Sequence, residues 1–200
     1  MSNYEKFSNI GESLLQSALL FNKIVDGKSI EHLSIDELRN KIQNQYLIAE
    51  EEIKETEYAF DADDIVEIYD GYCDTLYTFP LLALMFHDYK LQTKPNENNF
   101  YKEYKEKIDN LTNRFSEIFE LINQIDLDIL YEYADRVIAN NMEKFTTDEE
   151  VFKTWKSNHN PTSKVVDGVT YYFFVDENLK VKKRDGFPQV EVEDLFNGVK

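Results

Sequence analysis

Two sets of carboxylates raise the chemical question. Glu52 and Glu55 stand three residues apart with Glu51 beside them, and Glu67, Asp70 and Asp74 occupy positions i, i+3 and i+7. On a helix, each set lies along one face. Four or five carboxylates that converge repel one another, and one or two divalent cations remove that penalty. An all-oxygen ligand set suits Mg²⁺, with Mn²⁺ as a substitute, and does not suit zinc. The ordinary alternative is a solvated charged face built of i, i+4 pairs. Two features weigh against it. Lys54 is the only cation between Glu51 and Asp74, and Ile53, Ala59, Ile65, Ile68, Tyr69, Tyr72 and Cys73 are interleaved with the acids.

The elements that must position these carboxylates are helices. The chain has 200 residues, 42% of them hydrophobic, with only six Gly and four Pro, a composition that favours long helices around a real core. Apolar positions at helical spacing predict a first helix over 9–25, ended by Asp26-Gly27. Ser34 with Glu37 three residues on forms a capping-box pattern that opens a second helix to about Phe60. The "DADD" turn (61–64) follows, with Asp63 or Asp64 capping a third helix. The periodicity of that helix resumes after Pro80, which should kink it without ending it. "QTKPNENN" (92–99) reads as a loop. A fourth helix, about 99–124, and a fifth, about 126–145, complete the pattern. The short turn makes the second and third helices antiparallel neighbours, so their acidic faces can meet.

After Phe145 the texture changes. "TTDEEVFKTWKSN" suggests a short helix and "HNPTS" a loop, while "VTYYFFV", "DEN" and "LKVKK" read as a β-hairpin. "DGFPQVEVEDLF" reads as turn and loop. The expected fold is all-α: an antiparallel bundle of about five helices over residues 1–146, with a small β-hairpin appendix in an extension over 147–200.

Net charge is -17, which argues against general nucleic-acid binding, since phosphate contacts need Lys and Arg. It fits divalent cations or a basic partner. The single Cys73 excludes an intramolecular disulfide and points to a reducing compartment; its apolar helical setting favours burial over a nucleophilic role. No apolar run approaches ~18 residues, so no membrane association is expected, and a cytoplasmic setting, bacterial or in a phage-infected cell, is the expectation. His32, His87 and His159 show no metal-ligand spacing. Tyr77 and Phe79 are candidates to stack on a base, although aromatics at helical spacing are more often core.

The pattern Glu52-x-x-Glu55 followed by Glu67-x-x-Asp70 resembles the metal motif of the MazG-like all-α nucleotide pyrophosphohydrolases. "EEIKETEYAF" is similar to the family's acidic helix. "DGYCDTLYTF" is similar to the D-x-x-x-D-x-x-Y helix of its phage-type and phosphoribosyl-ATP-pyrophosphohydrolase-like branches. Downstream, "VIANNMEKF" (137–145) resembles the V-x-x-S-N-M-x-K-F segment, and residues 176–195 resemble the closing G-K-v-x-K…P…L stretch. The likeness spans most of 35–195, with Asn140 in place of the usual Ser and Leu179 where Gly is common. It leaves open whether Glu67 and Asp70 are ligands with Asp74 behind them, or Asp70 and Asp74 form the motif pair.

The resemblance implies Mg²⁺-dependent hydrolysis of a (deoxy)nucleoside triphosphate to monophosphate and pyrophosphate. It implies metal ligands among Glu52, Glu55, Glu67, Asp70 and Asp74, and proton transfer to Glu52 or Glu51. Asn141, Lys144 and the "KVKKR" cluster, Lys182 and Lys183 above all, are the candidate phosphate contacts; the bland role of the cluster is a solubilising strand. A homodimer or homotetramer is expected. A competing reading is a non-catalytic acidic protein that mimics DNA, and another is a phosphoribosyl-ATP pyrophosphohydrolase, which shares the metal motif.

Overall fold

The structure, a computed structural model, describes residues 3–95, 98–177, 180–188 and 192–196. Within these residues the chain forms α1 (Asn3–Asp26), α2 (Ile35–Asp61), α3 (Ile65–Gln92), α4 (Asn99–Glu120), α5 (Leu127–Met142) and α6 (Glu149–Thr154). Strands β1 (Asn160–Val166), β2 (Val169–Val175) and β3 (Val181–Lys182) form one antiparallel sheet in the order β1-β2-β3. The all-α bundle with a small β appendix is thus the observed fold. No described helix is long and apolar enough to cross a membrane.

Local chemistry fixes where α2 and α3 begin. Ser34 and Glu37 make a reciprocal capping box, the Glu37 carboxylate accepting from Ser34 N at 2.8 Å and the Ser34 hydroxyl accepting from Glu37 N at 3.4 Å. Between the helices Asp63 takes φ 52°, a left-handed conformation that Asp tolerates. Asp64 then caps α3 by accepting from Glu67 N at 3.3 Å. The chain therefore reverses in three residues and lays α3 along α2. As expected, α3 runs through Pro80.

The bundle core is continuous, from Leu14 and Ala18 on α1 through Ile42, Ala49 and Ile53 on α2 to Tyr69, Tyr72 and Leu82 on α3. Leu111 on α4 and Leu130 on α5 close it. Two buried tyrosines serve as ties as well as packing. The Tyr72 hydroxyl donates to the Ile118 carbonyl at 2.7 Å, and the Tyr69 oxygen accepts from Asp126 N at 2.7 Å. Cys73 is fully buried, and burial pushes its thiol well above the ordinary range, which suits packing and not nucleophilic attack.

A second, smaller core joins the sheet to the bundle: Ile24 at the end of α1, Phe145 after α5, and Phe173 and Val175 on β2. The opposite face of the sheet carries α6, where Phe152 packs on Tyr172 and Phe174.

Several boundaries differ from the reading of the sequence. The first helix begins at Asn3, and the fourth gives way at Leu121 to a 3-10 turn that ends at Gln124. The segment "HNPTS" is not a loop: Asn160–Val166 is a full strand paired with β2, turned by Asp167 (φ 50°) and Gly168 (φ 80°). These are the conformations of a two-residue hairpin turn. Pro161 is tolerated because β1 is an edge strand. The expected hairpin of "VTYYFFV" with "LKVKK" is present but short, since β3 is Val181–Lys182. Asn178 and Leu179 in its turn, Asn96 and Glu97 in the 92–99 loop, and Gln189–Glu191 lie outside the described residues.

Candidate functional site

The two acidic faces do meet. Thr56 on α2 sits one turn beyond Glu52 and is fully buried. Its hydroxyl donates to the Glu52 carbonyl at 2.7 Å and lies 3.1 Å from the Thr75 hydroxyl on α3. Opposite it is Gly71, the residue after Asp70. This small-residue contact brings the helices close, and with them the segments that carry Glu52 and Glu55 on α2 and Asp70 and Asp74 on α3.

The electrostatics agree with acidic faces on neighbouring helices. Burial is the largest cause of a Glu52 carboxyl pushed up to about 8, and the charges of Asp74, Glu55, Glu51 and Asp70 push it the same way. Burial likewise pushes Asp74 up to about 7, aided by Asp70 and Glu55 and opposed by the Lys144 ammonium. Glu67 is raised by burial and by Asp70, Asp64 and Glu55. These are the signatures of charges brought together without enough countercharge. Two other cations that bond residues of α2 are occupied elsewhere: Lys54 pairs with Glu50 at 3.4 Å, and Arg114 grips Glu57 through Nε at 2.8 Å and Nη2 at 2.6 Å.

Asp70 has one further partner. Tyr133 on α5, buried in the core, donates its hydroxyl to Asp70 Oδ1 at 3.0 Å. Tyr133 reads in the sequence as one more apolar-seam aromatic, and helical spacing gives no hint of its second role.

Lys144 follows α5, and its ammonium donates to Asn141 Oδ1 at 2.7 Å and lies 5.5 Å from the centre of the Phe21 ring. Burial above all, with the charges of Lys183 and Lys180, lowers it to about 8 against the opposing pull of Asp74. Asn141 and Lys144 therefore form one unit at the edge of the carboxylate group. The rest of the basic cluster divides. Lys183 lies close enough for Lys144 to feel its charge, whereas Lys182 is bound to Asp176 at 3.1 Å. Arg184 lies 4.4 Å from the centre of the Trp155 ring and donates to the Glu143 carbonyl at 3.0 Å, a structural role.

Glu51 and Glu67 sit at the exposed rim, while Glu52, Asp70 and Asp74 are partly buried. Phe79 is buried and stacked on Phe115, and the partly buried Tyr77 packs against the bundle core. Among the described residues, no three His, Cys, Asp or Glu side chains are already gathered in an arrangement that could hold a metal ion. What the two helices carry is a set of carboxylate oxygens.

Comparison of the chain with protein-family models, with curated proteins and with solved structures finds no match.

Proposed function

We propose that the chain is a Mg²⁺-dependent pyrophosphohydrolase of (deoxy)nucleoside triphosphates, acting through the carboxylates between α2 and α3. The observation that carries this reading is the close packing of α2 on α3 at Thr56, Thr75 and Gly71, which sets Glu52 on one helix beside Asp70 and Asp74 on the other. Glu52 and Asp74 are partly buried, burial first and the other acids second push each toward neutrality, and the partly buried Lys144 stands beside Asp74. Unbalanced negative charge at a fixed place is what a divalent cation relieves, and oxygen donors suit Mg²⁺. The MazG-like pattern of Glu52-x-x-Glu55 and Glu67-x-x-Asp70 agrees with that assignment. A DNA mimic would spread its charge over an exposed surface and would have no use for half-buried acids.

Glu52, Glu55, Asp70 and Asp74 are the proposed ligands, with Glu67 at the rim of the same group. When bound, the metal supplies positive charge for the phosphoryl oxygens and acidifies nearby water. Water oxygen attacks the α-phosphorus, the bond to the bridging oxygen breaks, and pyrophosphate leaves with that electron pair. Glu52 takes the water proton, with the exposed Glu51 as the neighbouring acceptor; a carboxylate of raised basicity suits this role. Tyr133 holds Asp70 in orientation through its hydroxyl. Lys144, presented by Asn141, and Lys183 receive charge on the phosphates as the leaving group forms.

The test is a panel of ribo- and deoxynucleoside triphosphates incubated with Mg²⁺, reading monophosphate and pyrophosphate together. Equimolar release of both products, lost in Glu52→Gln and Asp74→Asn, is expected. No release from any nucleotide, or equal release by these variants, overturns the reading.

A further inference from the structure

A cleft of about 630 Å³ opens between the end of α1, the middle of α2 and the inner face of the sheet. That volume is ordinary for a small-molecule site. Its floor is apolar. Phe173 and Val175 are held there by the small core they share with Ile24 and Phe145, and Ile48 borders them from α2. Asn44 and Thr162 supply polar groups on opposite walls.

The charge of the cleft is the reverse of the charge of the protein. The chain carries 39 acidic and 22 basic side chains, yet the cleft is lined by Lys41, Lys164 and Lys180 against Asp26 alone. Lys41 and Asp26 satisfy each other at 2.8 Å. Among the described residues, the ammonium groups of Lys164 and Lys180 have no ion-pair partner, and neither side chain is buried. An apolar floor with two free ammonium groups at its rim suits a ligand that has a flat apolar part and an anionic part.

The cleft also lies next to the carboxylates. Ile48 stands four residues, about one helical turn, before Glu52 on α2. Lys180 is close enough for its charge to bear on Lys144, whose own charge reaches Asp74. A molecule seated in the cleft with its anionic end at Lys180 would present that end to the acidic group.

We propose that this cleft binds the nucleotide substrate, its base against Ile48, Phe173 and Val175 and its phosphates led past Lys180 toward Lys144. The proposal rests on the pyrophosphohydrolase reading for its choice of ligand, and it assigns to the β appendage the recognition of base and sugar. The sheet is then a wall of the binding site, and Thr162 and Lys164 are the residues through which β1 touches the ligand.

The probe is an α,β-methylene nucleoside triphosphate, one for each base, titrated into the full chain by calorimetry with and without Mg²⁺. Thr162→Trp, which fills the cleft from β1, should weaken binding at least tenfold. Lys180→Glu and Lys164→Glu, at unburied positions where folding is not in question, should each weaken it at least fivefold. In all three the melting shift produced by Mg²⁺ should stay as in wild type. Binding within twofold of wild type in the two lysine variants overturns the cleft assignment, as does failure of wild type to bind any nucleotide probe. Equal affinity for inorganic triphosphate overturns it too, because the base would then contribute nothing. The two readings separate cleanly. Hydrolysis with binding indifferent to the cleft variants leaves the catalytic reading and removes the cleft. Binding that depends on the cleft, without hydrolysis of natural nucleotides, leaves the cleft and removes the catalysis.

Discussion

Gly71 on α3 and Thr56 on α2 meet with no room for a side chain between them: a Cβ on Gly71 would stand 2.5 Å from Thr56 Oγ1 and 3.0 Å from its Cα. The contact lies beside Asp70 and one turn from Glu52, so it sets the separation of the two acidic faces. Gly71→Ala tests it. Helix propensity alone favours Ala by ~1 kcal/mol, but the clash involves backbone and a buried hydroxyl that already bonds the Glu52 carbonyl. Overpacking of this kind costs ~1–3 kcal/mol, so the expected net effect is a lower midpoint in denaturant. The Mg²⁺ response should weaken with it, because the acidic faces move apart. An unchanged or raised midpoint would show that α2 and α3 separate freely.

The second prediction concerns pH in the metal-free protein. Folding raises Glu52 from an ordinary 4.5 to about 8 and Asp74 from 3.8 to about 7. Between those limits the folded state holds more protons than the unfolded state, so stability falls as pH rises. The contribution is intact below about pH 4 and lost once pH passes about 8. Thermal melts in EDTA from pH 5 to 8 should show a declining midpoint, and the decline should be shallower in Glu52→Gln. Because the whole chain is acidic, the difference between the two proteins is the quantity to read. Parallel curves would remove Glu52 from the strained group.

Some of this arrangement is legible in the sequence and some is not. The capping box at Ser34, the cap at Asp64 and the periodicity of α2 and α3 depend on local spacing, so the acidic faces could be placed before the fold was known. The Tyr133–Asp70 bond spans α5 and α3, and nothing local encodes it. Strand β1 is a different case. Asp167-Gly168, flanked by Val165-Val166 and Val169-Thr170, is a strong hairpin signal. The polar run Asn160–Ser163 with its proline hides the strand, because an edge strand needs neither apolar alternation nor every backbone donor. The cleft depends on that strand, which is why Lys164 does not stand out in the sequence, whereas Lys180 belongs to the "KVKKR" cluster.

If the acidic group binds a divalent cation, metal-free protein should gain several degrees in melting temperature with millimolar Mg²⁺ or Mn²⁺. Glu55→Gln and Asp70→Asn should abolish the gain, and each should be at least as stable as wild type without metal, since one repelling charge is gone. The control is NaCl at matched ionic strength, which screens the net charge of -17 without filling a site. An equal rise with NaCl would assign the effect to screening and leave the cluster without a ligand.

Lys144 carries the last prediction. A lysine just beyond a helix C-terminus can be there only to offset the helix dipole, an effect of ~0.3–1 kcal/mol on stability and none on kinetics. The surroundings of Lys144 point to more. Burial and the neighbouring Lys183 and Lys180 lower it to about 8, whereas a cation retained for the dipole alone has no reason to be desolvated beside other cations. A phosphate arriving between these groups would relieve that repulsion, so the ammonium should be fully protonated when substrate is bound. Lys144→Ala should therefore lower kcat/KM for the nucleotide at least tenfold, since ~1.4 kcal/mol of lost phosphate contact is already a factor of ten. Removing a strained charge should leave thermal stability equal or slightly higher. The Mg²⁺ shift should persist, because Lys144 lies outside the carboxylate group. Unchanged kcat/KM together with a lower melting temperature would return Lys144 to the helix-end role.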